Sequence, residues 1–546
     1  MLNHISIGLS GLTAANRSIL VVGENITKSN IQHYHRKVPI LSSLQQYGVI
    51  YKYTIRETDN ILQNQYNYKL SDISYYDELH KYNSLYETYL TNENIIDKFN
   101  NTYNILTQIN SNRYKLIDFI SSLNELSSSM RNISNSLKIV KNNIINQIET
   151  FIQQINSNLT MLSRYNNYNN IKNDKSNIQD SKDELITNLL NIIDAQIIHM
   201  DNTVNILSSN GVPLLLNANI YNLTLRHTAS NIIIENDIGN IGIKSGQLGA
   251  LLYMYNEYLP EIQARLNNIV SNFIRNLNHI QATGIGAAKE YDSTISRIPV
   301  IDVYTPLAAQ NLPYQVYEGD ITISITDTNL SLRNNYTIHI DPNVHSLDYI
   351  SNQLSSLSGI TSSVDSSTGL LTINALPGYL FDFAGRDTIP PTSAYILNPD
   401  TSGLLSALGI NSILDGYNAD TIFLQKRFLD NPNLFASSKT GEPGNNDNIL
   451  RLLETRENSL FTHRNLIQDL TQLITNIGSY QSTIKNNLDT ITEMFNDIKN
   501  KLYENVGVDT NEEFVNLLLY QKMFEASSKY IIIVNQLFDS LLDILR

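Results

Sequence analysis

Residues able to do chemistry are present in this chain, but their spacing does not assemble them. Of the ten histidines only His33 and His35 stand close together. A histidine pair at spacing two ligates a transition metal when a thiolate or carboxylate completes the set. The chain has no cysteine, and no acidic residue neighbours the pair, so both side chains are expected in a solvent-exposed loop. Three carboxylate pairs, Asp77–Glu78, Asp183–Glu184 and Glu512–Glu513, have the composition for general acid–base work. All three sit in helical or helix-starting stretches, where a solvated face or compensation of a helix N-terminus is the ordinary role. Gly242, Gly246 and Gly249, and Gly284 with Gly286, lack the following lysine and the strand-to-helix setting of a phosphate cradle, so they read as turns and helix ends. The reading is of a protein that is not an enzyme, with no catalytic residue, no cofactor and no metal.

Composition narrows the partners. With 38 basic against 52 acidic residues in 546, the formal charge is −14 and no cluster of Lys or Arg stands out. Phosphate neutralisation therefore cannot hold a nucleic acid, and no anionic membrane is expected to attract the chain. Hydrophobic residues make up 42% and charged ones 16%, enough apolar surface for several cores. No uninterrupted apolar run reaches a bilayer's thickness, so no membrane insertion is expected, and the N-terminus lacks the basic start and apolar core of a secretory signal. Asn, Ile and Tyr are abundant and Trp is absent. All three abundant residues use A/T-rich codons, which leaves genome drift as one source of the bias.

The elements that must position these residues begin at the two ends. Ile5, Leu12, Ile19 and Ile26 repeat every seven residues, and so do Leu517, Phe524, Ile531, Phe538 and Leu545. Such spacing predicts a helix with a narrow apolar seam at each terminus, and these nine residues are the expected assembly interface. The seams are expected to pair as a coiled coil with each other and with neighbouring molecules, because no globular sequence lies beyond either. From 61 to 165 apolar residues recur at helical spacing without a proline, predicting long helices. A polar linker at 166–181 precedes a helix expected over 182–198.

A small strand-rich excursion is expected near 205–245, then a helix over 249–280 with a break at Pro260. The clearest alternation, Ile321, Ile323 and Ile325, opens a set of strands that includes 336–340 and 370–374, with a helix over 346–357 between them. A proline-bearing stretch at 389–399 and a glycine-bearing one at 441–444 precede helix again over 448–503. The fold class expected is mainly α with an inserted α+β domain, a long-helix bundle core and an outward β-rich insert. In residue terms, 1–60 with 485–546 are expected to form a terminal helical domain. Residues 61–299 with 418–484 form the bundle, and 300–417 form the insert.

The opening Ile5-Ser-Ile-Gly-Leu-Ser-Gly-Leu-Thr-Ala-Ala15, followed by Asn25-Ile26, Asn30, Tyr34 and Arg36, resembles the N-terminal signature of the flagellar rod, hook and hook-associated axial proteins. The segment from Glu512 to Lys529, containing Leu-Tyr-Gln-Lys-Met-Phe-Glu-Ala-Ser-Ser, is similar to the end of the hook-associated members that build the hook–filament junction. Three internal stretches, 246–260, 364–373 and 441–450, are similar to the same family. Where the family has Thr-Pro-Gly before the tyrosine, this chain has Ile31-Gln32-His33. The resemblance implies a structural protein outside the cell, exported by the flagellar type III route without a cleaved signal peptide. It implies self-assembly into a ring, with hook protein on the proximal side, a second junction protein on the distal side and an export chaperone at the C-terminal region. A hook- or rod-type axial protein, and a secreted helical adhesin or effector, are the alternatives.

Overall fold

The computed structural model describes residues 2–545 apart from 32, 45–47, 110–113, 168–174, 201–202, 288–290, 387–394 and 443. The chain divides into two compact units, each built from separated segments. One comprises 1–82, 143–256 and 482–546; the other comprises 83–142 and 257–481. The fold is mainly helical with β-containing insertions. The expected three-part boundaries differ from this partition, because long helices run through the cuts.

In the first unit α1 (Leu2–Lys28) is followed by a hairpin, β1 (Lys37–Leu44) and β2 (Gly48–Arg56), which the terminal-helix reading of residues 1–60 did not anticipate. The helical parts are α2 (Asn60–Glu93, to residue 82), α4 (Lys115–Asn167, from residue 143), α5 (Lys175–Ile192), α6 (Gly246–Tyr253), α12 (Leu466–Val506, from residue 482) and α13 (Thr510–Leu545). Tyr66 of α2 meets Phe495 of α12 with ring centroids 5.0 Å apart. The helix expected over 182–198 ends early. Its last residues form β3 (Ala195–Met200), which pairs with β4 (Thr203–Ser208). Next come β5 (Pro213–Leu216) and β6 (Asn219–Ile220), completing the sheet order β3-β4-β5-β6, and then a hairpin of β7 (Thr224–His227) and β8 (Ile232–Glu235). Two isoleucines, Ile197 and Ile198, fit either period, and pairing with β4 decides for strand.

Asparagine fastens these pieces together. A side-chain amide carries one acceptor and a donor pair, so it can bind both the N–H and the C=O of another segment's residue as a strand neighbour would. Asn166 holds Val204 in this way (Nδ2 to O 2.9 Å, N to Oδ1 3.0 Å), Asn156 holds Leu223 (3.0 and 2.8 Å) and Asn256 holds Ile232 (2.9 and 2.9 Å). The second unit repeats the device at Asn278, which donates to Leu414 O at 2.8 Å and accepts from Leu414 N at 3.0 Å. The asparagine content thus has a structural use in this fold.

The second unit contains the rest of α2 and α4, α3 (Ile95–Ile109) and α7 (Leu259–Ala282). The α-helical ladder breaks just before Pro260, at a π-helical turn, Met254–Tyr258, and Pro260 stands in the first turn of α7, where an N–H has no intrahelical partner. The insert carries two three-stranded sheets. In one, β10 (Gly319–Asp327) lies between β11 (Leu332–Ile340) and β14 (Tyr379–Asp382). In the other, β13 (Leu370–Ala375) lies between β12 (Ile360–Asp365) and β9 (Ser293–Ile295). Between β11 and β12 runs α8 (Leu347–Ser355), with Ser346 as its N-cap accepting from Tyr349 N. The two ends of the insert meet, Arg297 N and Ile298 N both donating to Leu408 O at 2.9 and 3.0 Å. Short elements follow: α9 (Leu404–Ala407), the pair β15 (Leu414–Asp415) and β16 (Phe423–Leu424), α10 (Lys426–Asp430) and α11 (Asp447–Glu454). A turn region at 455–465 then interrupts the helix expected over 448–503. Most of the proline-bearing stretch from 389 lies outside the described residues.

Candidate assembly site

α1 and α13 pack along their lengths, and what lets them approach is a row of small residues. Gly8, Gly11, Ala15, Ser18, Val22 and Asn25 are all buried, at alternating spacings of three and four. This is a heptad seam one face over from the one expected. A Cβ added at Gly8 would lie 2.5 Å from Ile531 Cγ1, and one at Gly11 2.5 Å from Ser527 Oγ. Across the same face His4 Nδ1 lies 2.9 Å from the Tyr530 hydroxyl. Of the expected interface residues, Ile531 packs in the seam against Gly8; Ile5, Leu12, Ile19 and Ile26 flank it half-exposed, Leu517 and Phe524 on α13 are half-exposed, and Phe538 is exposed. The side chain of Leu545 lies outside the described residues. Weighting by hydrophobicity selects the larger neighbours and passes over the glycines that form the contact.

The rest of α13 is apolar on faces that no other described residue covers. Leu518, Leu519, Ile533 and Leu537 are each 54–61% exposed, and Phe514, Val515, Ile532, Leu541 and Leu542 are exposed as well. A helix hydrophobic around its circumference is stable in water only when other elements surround it. By length and composition Asn3–Lys28 would also suffice to cross a membrane; the count of uninterrupted apolar residues missed it because Ser, Thr and Asn punctuate it.

At the base of the helix pair the terminal motifs converge on one polar cluster. Asn25 uses all four of its hydrogen-bonding positions: Oδ1 accepts from the Tyr34 hydroxyl (2.8 Å) and Lys37 N (3.1 Å), and Nδ2 donates to Lys37 O (2.8 Å) and Glu513 Oε2 (2.9 Å). Arg36 Nε donates to Glu513 Oε1 at 2.8 Å, and Arg36 Nη2 to Glu512 Oε1 at 2.5 Å. Glu513 is therefore buried and paired, whereas Glu512 is exposed; the solvated-face reading holds for one residue of that pair. Asp183 departs from it too, joining Asp180 on Arg56 of β2.

The lysine of β1, Lys37, reaches Glu24 at 2.8 Å with its stem buried. Burial raises the Glu24 carboxyl, but hydrogen bonds from Lys28 and Lys37 outweigh it and leave the pKa below the ordinary value. Burial, with Glu24 nearby, pushes the Tyr34 phenol far above its usual range.

The histidine pair is not solvent-exposed. His35 is buried with Nδ1 2.9 Å from Glu57 O, and burial together with Arg56 holds its pKa below the ordinary value. His33 is half-buried and has a φ of 64°, the left-handed conformation where the family pattern has glycine. Gln32 lies outside the described residues. Among the described residues no three His, Asp or Glu side chains are grouped to hold a metal ion.

Comparison with known proteins follows this geometry. Residues 93–295 match the flagellar hook-associated protein FlgK helical domain, and 501–544 match the flagellar basal body rod FlgEFG protein C-terminal region. Flagellar hook-associated protein 1 of Escherichia coli (strain K12) aligns over the whole of both chains at 21% identity. The structure of the flagellar hook junction protein FlgK from Burkholderia pseudomallei covers 80% of this chain and 99% of its own, at 13% identity and a TM-score of 0.48. An end that matches the rod proteins and a helical region that matches the hook-associated domain make the chain similar to flagellar axial proteins. Over its whole length the chain is similar to flagellar hook-associated protein 1.

Proposed function

We infer that the chain is a structural subunit of the bacterial flagellum, forming the junction between hook and filament by polymerising through its terminal helices. The observation that carries this reading is the uncovered apolar surface of α13 beside a seam that already joins it to α1. Burying one leucine of that surface against a neighbouring subunit contributes about 1.5–3 kcal/mol, so a few such contacts per interface suffice for assembly. The subunit contacts its own copies in a ring, hook protein on one side and a second junction protein on the other. An export chaperone covers the C-terminal region before assembly, and the chain leaves the cell without a cleaved signal. Phe524, half-exposed, joins the outer residues in the subunit contact, while Ile531 holds α13 to α1 at Gly8.

The test is a double substitution on the outer face, Leu518→Asp with Ile533→Asp. The monomer should keep its circular dichroism and melting temperature, because neither side chain is buried, and should fail to cap isolated hooks. Normal capping by this variant would refute assembly through α13.

A further inference from the structure

In the first unit an unpaired strand edge faces a helix across a groove. β3 is the outermost strand of its sheet and pairs with β4 alone. Its residues, Ala195-Gln-Ile-Ile-His-Met200, include none of the lysines, prolines or bulges that ordinarily blunt an edge. Among the described residues no backbone hydrogen bond from outside the sheet reaches it. At roughly 3.3 Å per residue the strand presents an edge about 20 Å long, with N–H and C=O groups of alternate residues pointing outward.

Between this edge and α2 lies a pocket of about 410 Å³, walled by Asn64 and Tyr68 on the helix and by Gln196 and Ile198 on the strand. Its only charged lining groups among the described residues are two carboxylates, Asp72 and Asp194. Asp72 is 3.3 Å from Lys69 and accepts from Ser245 Oγ at 3.2 Å, and Asp194 accepts from Lys244 N at 3.0 Å. Asp72 keeps acceptor capacity beyond these bonds, whereas Asp194, which Ser245 N and Ser209 also engage, offers only its charge.

We propose that the outer edge of β3 docks an extended, lysine- or arginine-bearing segment of a partner protein, which adds to the sheet as a fifth strand and sets its cation against Asp72 and Asp194. Main-chain pairing supplies the affinity of such an added strand, and side-chain pockets supply its selectivity. A second copy of this chain is the poorer occupant, since edge-to-edge pairing would bring the same two carboxylates of each copy together in a protein of charge −14. The site is separate from the terminal helices, so it stands or falls apart from the junction reading.

The experiment titrates the full-length protein with a fluorescent eight-residue peptide alternating valine and lysine. Two companion peptides have alternate amides N-methylated or glutamate in place of lysine. The lysine peptide should bind and slow hydrogen exchange at residues 195–200. N-methylation, the glutamate exchange and Asp72→Asn should each weaken binding at least about tenfold. Asp194→Asn, read beside Asp72→Asn, separates loss of the charge from loss of the Lys244 contact. Equal binding of the N-methylated or glutamate peptide, or no binding up to about 1 mM, overturns the proposal. So does a concentration-dependent dimer, measured by sedimentation, that Ile198→Lys dissolves, because it would assign the edge to a second copy.

Discussion

The three glycines of α1 should respond to the same substitution with different signs. At Gly8 an alanine Cβ would sit 2.5 Å from Ile531 Cγ1 and 3.2 Å from Tyr530 Cδ1, where carbon atoms require about 3.5–4.0 Å. The clash is with the inner part of a β-branched side chain, so α1 and α13 must separate. Overpacking of this kind costs about 1–3 kcal/mol, against which alanine's helix preference returns about 1. Gly8→Ala should thus destabilise the pair by about 1 kcal/mol. At Gly11 the nearest atom is the Ser527 hydroxyl, 2.5 Å away, which can rotate aside, so the two effects should nearly cancel. At Gly23 nothing lies within 4 Å, and the substitution should stabilise the helix by about 1 kcal/mol. The spread of about 2 kcal/mol corresponds to roughly thirtyfold in hydrogen-exchange protection of α13, read by mass spectrometry on the purified monomer. If Gly8→Ala raises protection as Gly23→Ala does, the helices are not in the contact described here.

Further outcomes concern the clamp and the fastening asparagines. Glu513→Ala takes an acceptor from Arg36 Nε and from Asn25 Nδ2 and should cost about 3 kcal/mol, whereas Glu512→Ala, whose carboxylate is exposed, should cost less than about 1; urea unfolding of each variant measures both. Asn166→Asp replaces the donor to Val204 O with a second acceptor and should cost about 1–3 kcal/mol by the same assay. His35 has its folded-state pKa depressed by burial, so its contribution is fully present above its unfolded value near 6.5 and is lost as pH falls below it. Melting temperature should therefore drop from pH 7 to 5, and His35→Gln should flatten that slope. His33→Gly relieves a left-handed residue and should raise stability by about 1 kcal/mol in thermal melts.

The terminal helices were legible because spacing of seven survives any phase error, but the phase itself was not. Ile5, Leu12, Ile19 and Ile26 dominate a hydrophobicity count, while Gly8, Gly11 and Ser18 register as neutral although they are what allows the helices to touch. The β1–β2 hairpin left a signal that could have been read, Tyr51, Tyr53 and Ile55 alternating with Lys52 and Thr54 after Gly48. Glu513 carries no local mark of burial: its partner Arg36 lies 477 residues away, and a carboxylate opening a helix looks alike whether solvated or paired. The asparagine fastenings were hidden for a related reason, since each joins a helix to a residue in or beside a strand that no periodicity connects to it. What spacing cannot encode is which distant backbone a polar side chain will meet.

The position of the clamp also sets an order of events. Closing a loop of some 477 residues to join Arg36 with Glu513 would cost about 5 kcal/mol in chain entropy if the intervening chain were flexible. The penalty falls only after the helices between them have folded and brought the two ends near. α1 is made first and completed last: until the final helix exists, its glycine row is uncovered and Asn25 lacks its bond to Glu513. A chain cut short before residue 510 should therefore be less soluble than the whole one, with its earliest helix as the adhesive part.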